Sequence, residues 1–474
     1  MRKFILSLVV ITFLFQPLFS QSTDTWNLQR CIAYALSNNI TIQQSQLTEE
    51  MSQYNLLQTK MSVLPSLNGS VNYGFNFGKN VDPTTNQYIN QNIQTNSFSL
   101  NSGIKLFSGF KTLNEIKQAN YDYMASKYNT QSTENNVTLY VVNAFLQVLY
   151  AEENLKNTQQ QQTLAEQQLE RTKTLNQAGT VTDGAVFDMK AQEATAEMNT
   201  VSAQNTYDLA RLNLTQLLNL DHLIEIEKPQ MQLTNDMLMS QLNADSIYLM
   251  ALQTQPQIQG AQYGLFSAMK GLSIAHSGMY PSISAYGSLS TNYSNAVKNY
   301  TVNGSSIIPI GFLQDANLTP VYTTTNQYTI TDKPYMDQFK DNVGQNIGIS
   351  LSIPIFNNWM VNTTIKRAQI NVLQAQLTLD QTKQQLQKDV QTAYTDVAAS
   401  SKRYSASMKN LDAVQKSFDY TQKKFDAGLI SSFDFNAALN NLTKAQTDLL
   451  QAKFDYVLKL KVLDYYQGKP LNLN

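Results

Sequence analysis

Apolar and polar positions alternate with a period of two in four short stretches of this chain. Val71, Tyr73, Phe75 and Phe77 alternate with Asn72, Gly74 and Asn76, and Phe98, Leu100, Ile104 and Leu106 with Ser99, Asn101, Gly103 and Lys105. In the second half, Ile347, Ile349, Leu351, Ile353 and Ile355 alternate with Gly348, Ser350, Ser352 and Pro354, and Tyr286, Leu289 and Tyr293 mark a looser version over 283–293. Period two with one apolar side predicts half-buried strands, and lengths of about ten residues are those of strands that cross a membrane. An antiparallel sheet lying on a soluble core satisfies the same pattern. Four strands close no barrel by themselves, because single-chain membrane barrels begin at about eight. The membrane reading therefore requires several copies, two giving eight strands and three giving twelve.

Elsewhere the apolar steps are three and four. From Ala368 they run through Val372, Ala375, Leu379, Thr382, Leu386, Val390, Ala393 and Val397, and resume at Tyr404, Met408, Leu411, Val414, Phe418, Thr421 and Phe425. This is the heptad signature of coiled-coil packing. No proline interrupts Phe356 to Gly428, and about 72 residues at 1.5 Å each give a helix of roughly 100 Å. The seam mixes Ala and Thr with Leu and Val, which favours close, weakly hydrophobic packing with wet flanks; the Gln159–Gln162 run reads as a solvated face. Each long helix reaches a glycine, Gly179 or Gly428, the residue that takes the left-handed conformation ending helices. Thr180-Val181-Thr182-Asp183 and Ser431-Ser432-Phe433-Asp434 then fit the capping box that starts a new helix. These are tight reversals, followed by returning helices over about 185–220 and 435–466. Leading helices over about 28–63 and 246–280 have similar length, so one of each together matches one long helix.

The chain is built twice. Ala35-Leu36 through Ile42 lines up with Ala251-Leu252 through Ile258, and Leu64-Pro65-Ser66-Leu67 with Tyr280-Pro281-Ser282-Ile283, both 216 residues apart. Leu106-Phe107-Ser108-Gly109 and Ala178-Gly179 recur at Ile355-Phe356-Asn357-Asn358 and Ala427-Gly428, now 249 residues apart. The growth from 216 to 249 places a 33-residue insertion, seated in the Gly, Pro, Tyr and Thr-rich stretch Val297–Asp341. Phe107 to Gly179 and Phe356 to Gly428 each advance 72 residues, so length itself is constrained, as in a strut or tube. The organisation read from this is a signal peptide over 1–20, a first repeat over 21–220, a linker over 221–245, a second repeat with a longer strand–strand loop over 246–467, and a tail over 468–474.

Composition narrows the functional classes. Charged residues make up 15% of the chain and the formal net charge is −1, against about 25% charged in ordinary soluble domains; such a surface offers no basic face for nucleic acid. Arg2 and Lys3 followed by an apolar run to Phe15, with small Ser20 before Gln21, read as a secretory signal peptide. No later segment supplies the ~20 apolar residues of a spanning helix, so a membrane crossing has to be a closed barrel. The single cysteine, Cys31, sits in a helical pattern and reads as a buried structural thiol. His222 and His276 are isolated, and no phosphate loop, metal-ligand spacing or serine elbow is present. The sequence therefore points away from catalysis, cofactors and metals.

Leu28-Gln29-Arg30-Cys31-Ile32-Ala33-Tyr34-Ala35-Leu36-Ser37-Asn38-Asn39 and the second tip, Gly428-Leu429-Ile430 with Asp434 six residues after the glycine, resemble TolC-like outer-membrane efflux proteins over about Trp26–Gln467. Departures are Ile40 at a proline position, Ala437 at a second acidic position and Ile430 at a gating-link position. The resemblance implies mixed α and β structure: four strands per chain in a trimeric twelve-stranded transmembrane β-barrel, and long antiparallel coiled-coil helices forming an α-barrel through the periplasm. It implies a homotrimer in outer-membrane lipid, serving a tripartite efflux or type I secretion system through a periplasmic adaptor protein and an inner-membrane transporter. It makes Asp434 a pore-gate candidate, with helix capping as the competing role. Gly179, Thr180, Val181, Gly428, Leu429 and Ile430 are adaptor-docking candidates, with turn chemistry as the competing role. A secreted coiled-coil adhesin or scaffold without a pore is the alternative.

Overall fold

The computed structural model describes residues 25–81, 86–90, 92–229, 243–314 and 316–471. The segment read as a signal peptide, much of the 221–245 linker and the last residues of the tail lie outside them. The described residues within Met1–Gln53, Tyr121–Leu265 and Gln374–Asn474 form one unit, and those within Tyr54–Asn120 and Phe266–Leu373 a second. The first repeat supplies β1 (Thr25–Trp26), α1 (Leu28–Asn38), α2 (Ile40–Met61), β2 (Ser66–Asn76), β3 (Lys79–Val81), β4 (Tyr88–Asn90), β5 (Ile93–Ser108), α3 (Lys111–Gln177) and α4 (Asp183–Leu217). After β6 (Glu225–Ile226), the second supplies α5 (Ala244–Thr254), α6 (Pro256–Ser277), β7 (Ser282–Ser294), β8 (Lys298–Phe312), β9 (Pro320–Asp332), α7 (Tyr335–Asp341), β10 (Gly344–Ser352), α8 (Met360–Asp426) and α9 (Ser432–Tyr466).

The duplication holds at the level of the backbone. Helices of 11, 22, 67 and 35 residues occur in that order in both repeats. Left-handed residues recur too: Gly109, Phe110, Gly179 and Asn219 of the first repeat stand 249 positions before Asn358, Trp359, Gly428 and Gly468, all with positive φ. The reversal geometry is kept while the side chain changes. At Gly109 it cannot change, because a Cβ would lie 2.7 Å from Tyr280 Cβ and 2.9 Å from the Ser277 carbonyl oxygen.

Three sequence expectations are corrected. The leading helices are not continuous: each breaks at one extended residue, Asn39 (ψ 127°) or Gln255 (ψ 121°). Pro256 begins α6 and biases Gln255 away from the helical region. Asn39 instead caps α2 itself, its Oδ1 accepting from the Thr41 (2.9 Å) and Ile42 (3.4 Å) N–H groups. Both buried amides also bind the carboxyl-terminal end of a returning helix. Asn39 Nδ2 donates to the Leu217 carbonyl (2.8 Å) and Gln255 Nε2 to that of Tyr465 (3.4 Å), whose hydroxyl donates back to Gln255 Oε1 (2.7 Å). Secondly, the insertion is a folded element and not a loop: β8 and β9 form a long hairpin leading into α7. Register shifts between Val302 and Gly304 and between Pro309 and Gly311 interrupt its alternation, which hides the period from the sequence. Thirdly, the first tip carries no capping box at Thr180. Thr182 is the N-cap, without a side-chain bond, and the Thr180 hydroxyl closes the preceding helix on the Leu175 carbonyl (2.8 Å).

The helical unit is held by three apolar clusters. One gathers Trp26, Leu28, Cys31, Val141, Phe145, Leu214 and Phe454 beneath the parallel pair β1–β6. Burial pushes the Cys31 thiol up to about 12, so it stays protonated and inert. A second follows the heptad seam of α8 through Leu379, Leu386, Val390, Ala393 and Val397 onto α5 and α9. The third lies at the helix tips.

Candidate functional site: the two sheet faces and the helix tips

The four alternating stretches form one antiparallel sheet in the order β10-β7-β5-β2. Ile353 and Ile355 continue the pattern past the end of β10 without being strand. Register sorts the side chains by chemistry. One face carries Val71 beside Phe98, Leu100 beside Leu289, and Ile347, Ile349 and Leu351 beside Gly287, Ala285 and Ile283. On the other face Ser70, Ser99 and Ser290 line up, as do Asn72, Ser97 and Asn292, and Asn68, Asn101, Ser288 and Asn346. Ser70 and Ser99 share a 2.7 Å hydrogen bond, and Tyr286 lies over Gly348, where no Cβ stands in its way.

The apolar face has little protein over it. Ile347 is 90% exposed and Ile349 72%, values that no sheet resting on a soluble core would show. Among the described residues α7 packs on this face: Phe339 meets Phe98 edge-on at 5.4 Å and Tyr335 meets Tyr293 at 4.7 Å. Buried Gln338 fixes the helix there by accepting from the Ser294 N–H and donating to the Ser294 and Lys333 carbonyls, each at 3.0 Å. Exposed aromatics gather at both ends of the strands, Tyr73, Phe75 and Phe77 at one and Phe110, Tyr280, Phe356 and Trp359 at the other. This is the arrangement of the aromatic girdles at membrane interfaces. Among the described residues β2 and β10 each keep one edge unpaired. Among the described residues no helix is long and apolar enough to cross a membrane.

At the tips, both reversals use the same pair of backbone bonds. Gly179 N–H reaches the Asn176 carbonyl (2.8 Å) and Thr180 N–H that of Leu175 (3.0 Å); Gly428 and Leu429 repeat this on Phe425 (3.0 Å) and Lys424 (2.9 Å). Both glycines have positive φ, 75° and 70°, as the motif requires. Asp434 is exposed in the first turn of α9, with its N–H on Ser431 Oγ (3.2 Å) and its carboxylate accepting from the Ser431 hydroxyl (2.8 Å). Leu429 is 74% exposed. Val181 is half-buried, its carbonyl held by Asn176, and Ile430 packs into the tip cluster of Leu169, Met189, Phe418, Phe435, Leu439 and Leu442.

Several tip features escape the sequence. Arg171 of α3 pairs with Asp426 of α8 at 2.6 Å, and Ser432 donates to Asp188 at 3.0 Å, so the two helical hairpins are tied together. Their partners lie more than two hundred positions apart, beyond any local motif. Phe433 is exposed in the first turn of α9 and Phe187 in the second turn of α4; aromatics shortly after each tip glycine are the available signal. Elsewhere, His222 bonds its neighbour Asp221 (2.7 Å) and His276 ends α6.

An uncovered lipid-type face backed by a polar one, on a sheet open at both edges, combines here with coiled-coil hairpins of fixed length. Together they define an outer-membrane channel subunit. The chain belongs to the outer membrane efflux protein family, whose profile matches residues 31–220 and 247–468. It is similar to the outer membrane protein TolC of Salmonella enteritidis, with 23% identity over 182 residues, a stretch covering 38% of this chain and 37% of that protein. Among solved structures it resembles CusC, studied for the conformational changes that accompany folding and transmembrane channel formation, at TM-score 0.75 and 17% identity over 94% of this chain and 92% of that one. VceC of Vibrio cholerae gives 0.72 and 14% over 94% and 97%, and the open state of MtrE of Neisseria gonorrhoeae 0.71 and 18% over 94% and 90%. At these identities the likeness is one of fold.

Proposed function

We propose that three copies of this chain form an outer-membrane export channel, their sheets closing one twelve-stranded barrel and their helical hairpins one α-barrel wall. The observation that carries this reading is the sheet with an apolar face, a polar face and two unpaired edges. Unpaired edges invite strand addition, and in lipid every backbone polar group needs a partner. Pairing β2 of one copy with β10 of the next satisfies both. The channel is passive and takes substrates from an inner-membrane transporter through a periplasmic adaptor, as the component of a tripartite efflux or type I secretion system. Exposed Leu429, with Thr180 beside the other tip glycine, forms the docking surface. Gly179 and Gly428 shape it, while Val181 and Ile430 hold it from beneath.

The reading is tested by extraction and reconstitution. Membranes should release the protein only with detergent, as a heat-resistant trimer that gives stepwise conductance in planar bilayers. Release by salt or alkaline washing, with no conductance, would favour the coiled-coil adhesin instead.

Asp434 serves the pore as well as the cap in this proposal. Three such carboxylates around a narrow tip attract cations and repel anions. Asp434→Ala is expected to raise anion passage in bilayer recordings, and Asp434→Asn, which keeps a capping side chain, to do the same. Unchanged conductance and selectivity in both would remove Asp434 from the gate.

A further inference from the structure

The four strands of the sheet, Ser66–Asn76, Ile93–Ser108, Ser282–Ser294 and Gly344–Ser352, contain one charged residue, Lys105. Register puts it on the polar face, opposite Ser284, which is itself opposite Ser350. Its side chain is exposed, and no ion pair or hydrogen bond to its ammonium is found among the described residues. Four other lysines around the sheet are engaged: Lys111 with Glu115 (3.7 Å), Lys298 with Asp332, Lys333 with Asp341 (2.6 Å), and Lys79 over the Tyr88 ring (5.2 Å). Lys105 lies where the strands meet the helices, immediately before the register shift between Lys105 and Phe107.

A lysine near a strand end ordinarily serves the lipid interface, its stem along apolar surface and its ammonium among headgroups. Lys105 is on the opposite face, so that role is closed to it. A structural role through an ion pair or a hydrogen bond has no partner here. What remains is a charge directed into the space the polar face encloses.

We propose that Lys105 is the charge-selecting residue of the barrel, three copies forming a ring that favours anionic over cationic solutes. The inference rests on the closed-barrel reading above. Twelve strands at about 4.8 Å spacing, tilted by about 40°, give a backbone radius of roughly 12 Å. A lysine side chain reaches about 6 Å from its Cα, leaving each ammonium about 6 Å from the axis, inside the Debye length of ~10 Å at 0.1 M salt. A face otherwise built of Ser, Asn, Thr and Gly, with one Tyr and Ile93 at the far end of β5, supplies no competing charge. Rings of Lys or Arg are the usual device of anion-selective pores. Solutes bearing carboxylate, phosphate or sulfonate groups are the class so favoured.

The test is the reversal potential of reconstituted full-length channels under a tenfold KCl gradient at low salt, comparing wild type with Lys105→Gln, Lys105→Glu and Lys105→Arg. The chloride-to-potassium permeability ratio should fall several-fold in Lys105→Gln, invert in Lys105→Glu and persist in Lys105→Arg, with all differences shrinking at 1 M salt. Repeating the series in an Asp434→Ala background removes the tip carboxylates as a competing selector. Block by inorganic tripolyphosphate should weaken in parallel. Conducting channels whose selectivity and tripolyphosphate block are the same in all four proteins would overturn the proposal for Lys105 while leaving the barrel intact. A wild type that forms neither trimer nor pore would overturn the barrel reading itself.

Discussion

Ile349→Arg is expected to prevent assembly in the membrane. Ile349 sits in β10 opposite Ala285, on the apolar face, 72% exposed in the single chain. An arginine on the lipid side of a barrel costs about 2–4 kcal/mol at the bilayer midplane, and in a trimer that cost recurs in each copy. The expected result is loss of the heat-resistant trimer from outer-membrane preparations and failure to insert into vesicles from urea. Asn346→Arg, three residues away on the polar face beside Ser288, is the matched control and should assemble. If both variants insert like wild type, the face taken here to meet lipid does not meet it.

The second large effect is expected at the tips. Phe435 is fully buried, stacked on Phe425 at 4.5 Å and tilted against Phe418 at 5.7 Å, at the centre of the cluster joining α3, α4, α8 and α9. Truncating a buried phenylalanine to alanine typically costs about 3–5 kcal/mol. Other ties between the hairpins, Arg171–Asp426, Ser432–Asp188 and Gln192–Asn440, lie at the surface, and exposed pairs contribute little. Phe435→Ala should therefore loosen the tips before it unfolds the long helices. Expected readouts are larger and noisier single-channel conductance and earlier proteolysis near Gly179 and Gly428, with helical circular dichroism nearly unchanged. Wild-type conductance together with wild-type proteolysis would show that this cluster does not hold the tips together.

Much of this was legible in the sequence because its signals are periodic and local. The heptads of α8, the alternation of Ile347 to Leu351 and the glycines at 179 and 428 each depend on residues a few positions apart. What was not legible depends on distant partners or interrupted periods. The break at Asn39 has no proline to announce it and is fixed in part by the Leu217 carbonyl, 178 positions away. The β8–β9 hairpin carries Tyr300 and Val302 opposite Ile330 and Tyr328, but its register shifts scramble the alternation that marks the other strands. At the tips, the local motif at Gly428 marks Leu429 and Asp434 as candidates, and the structure places both as exposed. The Arg171–Asp426 pair became visible only once two hairpins from different repeats were side by side. Lys105 was already apparent as a polar position in an alternating run. Its standing as the single charge of the sheet required knowing which strands share that sheet.

Outside the segments between the strands, the repeats agree residue for residue in the lengths of their helices and in the positions of the left-handed turns beside them; they differ by 33 residues between the strands. The protein thus has two kinds of length. In the wall proposed above, helix length has to match that of neighbouring copies, so a single added residue there would shift every contact beyond it. Between the strands no long helix sets the measure, and there the second repeat holds a further hairpin and a short helix.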